Sequence, residues 1–334
     1  MKLKKIILFI SIFMIFSLNA CDKANENIEK KDKKETIVLG DPGWNSVRIH
    51  NNIVSYILKH GYGYETRIYE AGSEELKIGL KNKEVNILME YWLHDFKEYN
   101  YQITNKYYET VSVNYDDNRQ GIYVPKYVIE GDVNRGIKPI AKDLRRVDEL
   151  INYKDKFILE GQDYPKIYGP VKGWGFQEFL YNKFDGYNIS SNFEIVVSNS
   201  GEELGNYAEE AYVNGLPWVG YYWEPTVLMG KYEFIKLEED PYSEDIFLSS
   251  GLCEMPQEDV LVLVDTEFRK KHKDLYEFLS NYETTNEINN ELLAYDDIHE
   301  NKDDVVEYFL EEYEFLWLNW VSEDAYKKIK LNLE

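Results

Sequence analysis

Three tryptophans stand in short aromatic clusters far apart in the chain: Glu90-Tyr91-Trp92-Leu93-His94, Lys172-Gly173-Trp174-Gly175-Phe176-Gln177 and Gly220-Tyr221-Tyr222-Trp223-Glu224-Pro225. Rings from distant segments can assemble into a box. The face of an indole is negative, so such a box attracts a cation that ordinary hydrogen bonds cannot satisfy, a quaternary ammonium above all. Packing is the plainer use of tryptophan, and ring content alone does not separate the two. The chain's other chemistry must decide.

Motifs for catalysis are missing. There is no Gly-x-Ser-x-Gly, no His-Glu-x-x-His, no Walker loop and no Gly-x-Gly-x-x-Gly opening a helix. The five histidines are His50, His60, His94, His272 and His299, and none is paired at metal-ligand spacing. His60, His272 and His299 read as surface residues, whereas His94 stands beside Trp92. No reaction, metal or cofactor is expected.

The start of the chain reads as an address. Lys2, Lys4 and Lys5 precede the apolar run Ile6 to Leu18, and Leu18-Asn19-Ala20 leads into Cys21. This is the plan of an export signal, with residues 1–20 as a lipoprotein signal and Cys21 as the lipidated residue. Residues 21–35 are polar and charged, and read as a flexible tether. With Cys21 so used, Cys253 is left unpaired, and the exported domain must be stable without a disulfide. The formal net charge is -23, more negative still once the signal lysines are gone. Such a chain is poorly suited to nucleic acid or anionic lipid, and it would attract a cation. The 29 tyrosines suit a cleft lined by rings with a polar edge.

The elements that must position the rings follow from periodicity. Thr36 to Gly40 is a strand, Asp41-Pro42-Gly43 a turn, and Val47, Val54, Ile57 and Leu58 fall on one helical face ended by Gly61 and Gly63. Thr66 to Tyr69 is a second strand. Ser73 caps a helix holding Leu76 and Leu80. Val85 to Met89 is a third strand that delivers Trp92 at its end. This β-α-β-α-β run specifies a parallel sheet covered by helices, with ligands expected beyond the C-terminal strand ends. Further strands are expected at 121–125, 193–197, 218–223, 234–237 and 260–264. Helices are expected at 143–153 and 176–184, from the capping box at Ser200 to about Asn214, and through the C-terminal segment. Trp317 and Trp320, at helical spacing there, read as core, and Trp218 as packing.

These residues together resemble the substrate-binding lipoproteins of ABC importers for glycine betaine, choline and related quaternary amines (the ProX/OpuAC type). The resemblance rests on Gly43-Trp44, Glu90 to His94, Gly121 to Val128, Gly173-Trp174-Gly175, Pro217 to Pro225 and Trp317 to Val321, in that order. It implies an α/β, two-lobed periplasmic-binding-protein-like fold (type II), with the ligand in the interlobe cleft. The implied lobes are residues 36–122 with 248–334, and residues 123–247. It further implies a cage of Trp92, Trp174 and Trp223, with Trp44 and Tyr123 as candidates. His94 and the backbone N–H groups of Gly175 and Phe176 are implied holders of a ligand carboxylate, and Ser46 of a ligand hydroxyl. Free N–H groups at a helix start bind anions on general grounds. The implied partners are the ABC permease with its cytoplasmic ATPase, and the membrane through the lipid. A monomer at the extracytoplasmic face of the cell membrane is expected. A surface lipoprotein that binds or cleaves glycans by aromatic stacking is the competing reading.

Overall fold

The computed structural model describes residues 34–92, 106–172, 176–299 and 301–333. The chain divides into a unit 1–36 and a compact unit Ile37–Glu334. The expected signal, Cys21 and the tether up to residue 33 lie outside the described residues. Among the described residues no helix is long and apolar enough to cross a membrane.

The second unit contains two five-stranded sheets. The first is built from β1 (Ile37–Asp41), β2 (Thr66–Glu70), β3 (Ile87–Trp92), β4 (Tyr108–Tyr115) and β10 (Val260–Asp265), in the order β2-β1-β3-β10-β4. The second is built from β5 (Arg119–Pro125), β6 (Lys166–Val171), β7 (Glu194–Ser198), β8 (Gly220–Glu224) and β9 (Phe234–Lys236), in the order β7-β6-β8-β5-β9. In each sheet three adjacent strands run parallel, a strand from the other side of the crossover joins antiparallel, and the edge strand (β4 or β9) pairs antiparallel with that one. This is the two-lobed α/β architecture expected, with a discontinuous first lobe.

Alternation along the strands explains why both faces of the first sheet are covered. Ile37, Leu39, Ile87, Met89, Val262 and Val264 join one apolar cluster, while Val38, Leu88, Tyr91, Leu261 and Leu263 join another. Neighbouring residues of a strand point to opposite faces, so a near-continuous apolar run marks a sheet packed on both sides. Helix α1 (Asn45–Ile57) covers the first face and helix α2 (Ser73–Asn82) the second. Trp317 and Trp320 sit in the first cluster, 0% and 4% exposed, as their spacing predicts.

The second lobe adds α3 (Gln177–Gly186), α4 (Gly201–Asn214) and α5 (Val227–Lys231) around a core that includes Trp218. Ser200 caps α4, accepting from the Glu203 N–H at 3.1 Å. Cys253 is a buried free thiol. A buried Lys183–Glu239 ion pair lies beside it, with Lys183 also donating to the Cys253 carbonyl at 2.6 Å.

Several expectations shift. The lobe boundaries placed at Tyr123 and Leu248 fall inside β5 and inside the helix Glu244–Ser249. The sheets change earlier, between Tyr115 and Arg119, because β5 pairs with β8 from Arg119 onward. They change back later, since Cys253 and Met255 still pack in the second core. Asn118 ties the two crossings by a reciprocal pair of bonds with the Glu258 backbone, at 2.5 and 3.2 Å. Strand β4 is an element beyond those expected. The expected helix at 143–153 is reduced to a 3-10 turn, Val147–Glu149, followed by Leu150–Tyr153. Gly72, not Ser73, is the residue preceding α2. His272 is not a surface residue: it is 6% exposed, packed against Tyr64 and Phe268.

Candidate functional site

The carboxyl ends of the parallel strands open on one cleft of about 1000 Å³. Trp44 follows β1, Trp92 ends β3, Phe176 follows β6, Gly201 follows β7 and Trp223 lies near the end of β8, and all five line it. Parallel sheets leave a crevice there because the crossover connections depart in different directions. The first lobe contributes Trp44 and Trp92, and the second Phe176 and Trp223.

The first wall is built on a buried acid. Asp41 accepts the Gly43 N–H at 2.7 Å, which folds the turn after β1 and sets Trp44 as the residue preceding α1. The Trp44 indole N–H then donates to Glu90 Oε2 at 2.7 Å, and the Trp92 indole N–H donates to the same oxygen at 3.2 Å. Glu90 is 3% exposed. Its neighbours include Ser46 and Tyr115, whose hydroxyls also act on the carboxyl, and His50, whose Nε2 lies 3.5 Å from Glu90 Oε1. Burial pushes the Glu90 carboxyl up to about 6, with those hydrogen bonds opposing the shift. Burial lowers His50 to about 3, so this imidazole is neutral at physiological pH. The His50 Nδ1 side is joined to the Tyr282 hydroxyl at 2.8 Å.

The second wall is built on strand pairing. Trp223 stands opposite Gln120 in the β5–β8 ladder and stacks on Tyr222 with ring centres 4.6 Å apart. Gln120 is held from the other side by the Tyr221 hydroxyl at 2.9 Å. Glu224, the next residue, accepts from Tyr123 at 2.9 Å, and from Asn286 and Asn290 at 2.8 and 3.1 Å. These asparagines belong to α6 (Asn286–Ile298), which packs on the first lobe. The end of β8 is thereby tied to the first lobe beside the crossings.

The cleft lining holds more acids than bases, with Glu202, Glu209, Glu224, Glu258 and Asp297 against Arg48, Arg119 and Lys231. Arg48 is paired with Asp41, and Lys231 with Glu209 and Asp297. Arg119 is exposed and makes no ion pair with another described residue. Among the described residues no cluster of side chains could hold a metal ion.

The expected site residues divide into three groups. Trp44, Trp92, Trp223, Phe176 and Ser46 line the cleft. Ser46 is 8% exposed and its hydroxyl is engaged with Glu90. Tyr123 is 1% exposed in the second core, its hydroxyl spent on Glu224, and it is not among the described residues lining the cleft. His94, Trp174 and Gly175 lie outside the described residues. Sequence reasoning missed Glu90, Tyr115 and Arg119. Glu90 carried a legible signal, a lone acid within an otherwise apolar strand, since a carboxyl in that position must be held by donors.

Fold and site together define a two-lobed ligand-binding protein with an aromatic interlobe cleft. Residues 35–312 match the substrate binding domain of ABC-type glycine betaine transport systems, and the chain belongs to that family. Solved structures of low identity share its fold. The glycine betaine, L-proline-binding protein ProX from Borrelia burgdorferi is 18% identical over 88% of this chain and 100% of its own, with a TM-score of 0.60. Lactococcal OpuAC, closed on glycine betaine, is 14% identical over 86% and 100%, with a TM-score of 0.62. An ABC-transporter choline binding protein in complex with choline is 18% identical over 90% and 98%, with a TM-score of 0.61. No curated protein matches the chain in sequence.

Proposed function

We propose that the protein captures a quaternary ammonium compound (glycine betaine, choline, carnitine or a similar amine) in its interlobe cleft and delivers it to the permease of an ABC importer. The observation that carries this reading is the pair of indoles, Trp44 and Trp92, fixed by one buried carboxylate in the cleft that Trp223 also lines. Rings held this way offer negative faces, and nothing in a trimethylammonium group competes for their N–H groups. Each desolvated ring contributes about 2 kcal/mol. Two or three of them, with one charge-assisted contact of about 1.5–3 kcal/mol, approach the roughly 8 kcal/mol of a micromolar complex. Trp174 is the further wall expected from the sequence.

Closure is part of the reading. A cleft of about 1000 Å³ is far larger than one trimethylammonium group, and at the top of the roughly 300–1000 Å³ range of ligand pockets. The rings of the two lobes must therefore approach each other around the ligand. Arg119, at the cleft end of β5, is placed to meet a carboxylate on the same ligand. The mature domain acts as a monomer, anchored at the extracytoplasmic face by lipid on Cys21. The anchor keeps it at high effective concentration near the permease.

Calorimetry with glycine betaine, choline, carnitine and trimethylamine N-oxide tests the reading, with an oligosaccharide as control. Binding of at least one amine is expected, with a change in tryptophan emission. Trp44→Ala, Trp92→Ala, Trp174→Ala and Trp223→Ala should each weaken it by about five- to a hundredfold, or about 1–3 kcal/mol. No heat with any of the four amines would refute the assignment. Cys21→Ser should release the protein from the membrane fraction without changing affinity. Wild-type protein already free of lipid would refute the anchor alone.

A further inference from the structure

Glu90 stands in the first wall as a buried acid within an otherwise apolar strand. Its Oε2 atom accepts two indole N–H groups from different elements, the turn after β1 and the end of β3. A glutamine oxygen would accept the same two bonds. What glutamate adds is charge. Among the described residues no lysine or arginine pairs with it, and its nearest titratable base is His50 at 3.5 Å. The groups facing it from α1, β4 and the residues after the helix Lys273–Ser280 are Ser46, His50, Tyr115 and Tyr282, all uncharged at neutral pH. Its second oxygen, Oε1, faces the His50 Nε2 atom.

We infer that Glu90 is the buried counter-charge of the cage: it fixes the Trp44 and Trp92 rings by their N–H edges, and its carboxylate supplies the negative charge that a quaternary ammonium held against those rings neutralises. This deepens the proposed function and rests on it. The indoles stand between carboxylate and cation, so Glu90 is a positioning residue and a source of field, not a contact. A low-dielectric surround lets that field reach the cleft with little screening.

Cation binding and ionisation of Glu90 are then linked in both directions. The cation favours the carboxylate, so binding must expel the proton from any Glu90 that carries one. Burial places the free-state titration at about 6. About one carboxyl in eleven is ionised one pH unit below that value, so affinity should fall about tenfold between about pH 7.5 and about pH 5.

The test is calorimetry of choline and of its uncharged carbon isostere, 3,3-dimethyl-1-butanol, against the mature domain across that pH range. Buffers of different ionisation heat are used at about pH 6. Wild type should lose affinity for choline on acidification, bind the isostere with no such dependence, and release protons when choline binds. Glu90→Gln, with folding checked by circular dichroism, should bind choline about tenfold or more weakly at pH 7.5. It should also show a flat pH profile and leave the isostere unaffected. The wild-type profile and proton release decide the matter even if the variant does not fold. Choline affinity that is independent of pH, with no proton release, would overturn the inference and leave the quaternary-amine reading standing. If choline fails but glycine betaine binds, the same pH series and proton count are read on betaine. If wild type binds no quaternary amine at pH 7.5, the reading of the cleft fails, and the inference with it.

Discussion

Glu90→Gln should also change the stability of the ligand-free protein, in a direction that linkage determines. The Glu90 carboxyl moves from its ordinary 4.5 up to about 6 on folding, because burial disfavours the anion more than its hydrogen bonds favour it. The folded protein therefore holds this proton more tightly than the unfolded chain does. The contribution of Glu90 to stability is fully present below about pH 4.5 and is lost as the pH rises through about 6. A difference of about 1.5 units, at about 1.4 kcal/mol per unit, comes to about 2 kcal/mol. Glutamine keeps an oxygen for both indoles and never ionises. The variant should therefore gain about 2 kcal/mol on wild type between about pH 4 and about pH 8. Urea unfolding of both proteins across this range measures it. Taking the difference removes the titration of the other carboxylates, which is needed in a chain with 61 acidic residues. A difference that stays constant with pH would refute the argument. A difference of opposite sign would mean that an unseen cation compensates the charge. A site that is less stable when ready to bind would be consistent with stability and activity opposing each other.

Other perturbations separate core from cleft. Trp317→Ala should destabilise the protein by about 3–5 kcal/mol in urea unfolding. Its ring is 0% exposed and its N–H is spent on the Leu310 carbonyl at 2.9 Å. Binding per folded molecule should be unchanged, and a loss of affinity matching that of Trp92→Ala would refute the distinction. Lys183→Met should cost about 3–5 kcal/mol by leaving Glu239 buried without its partner, while Lys183→Met with Glu239→Leu should recover most of it. Equal losses in single and double variants, by chemical denaturation, would contradict this. Gly230→Ala should cost about 1–3 kcal/mol, since a Cβ there would stand 2.0 Å from the Asn290 carbonyl oxygen where α5 meets α6. An unchanged unfolding midpoint would show that the two helices are free to part.

What was legible in the sequence was local. The apolar runs of β1, β3 and β10, the Ser200 cap and the buried spacing of Trp317 and Trp320 follow from periodicity and turn chemistry within a few residues. Trp44, Trp92 and Trp223 could be placed at the cleft because each sits at the end of an element that periodicity reveals. Strand β4, with its mixed Tyr-Glu-Thr-Val-Ser-Val-Asn-Tyr sequence, was not legible, because its partner β10 is far away in sequence and meets it only in the fold. The lobe boundary was misplaced for the same reason: Arg119 and Gln120 join the second sheet by bonding to β8, and no local pattern records that partner. Tyr123 looked like a cage ring until the fold turned it into the second core and set its hydroxyl on Glu224. His272, in a charged stretch, is buried only because Tyr64 and Phe268 close over it. Tertiary structure alone brings Trp44 and Trp92 to one oxygen of Glu90. Trp44 and Trp92, on different elements, share a carboxylate because two parallel strands end side by side. The chain's residue types supplied the rings and the acid, and only the packing of β1 against β3 brought them together.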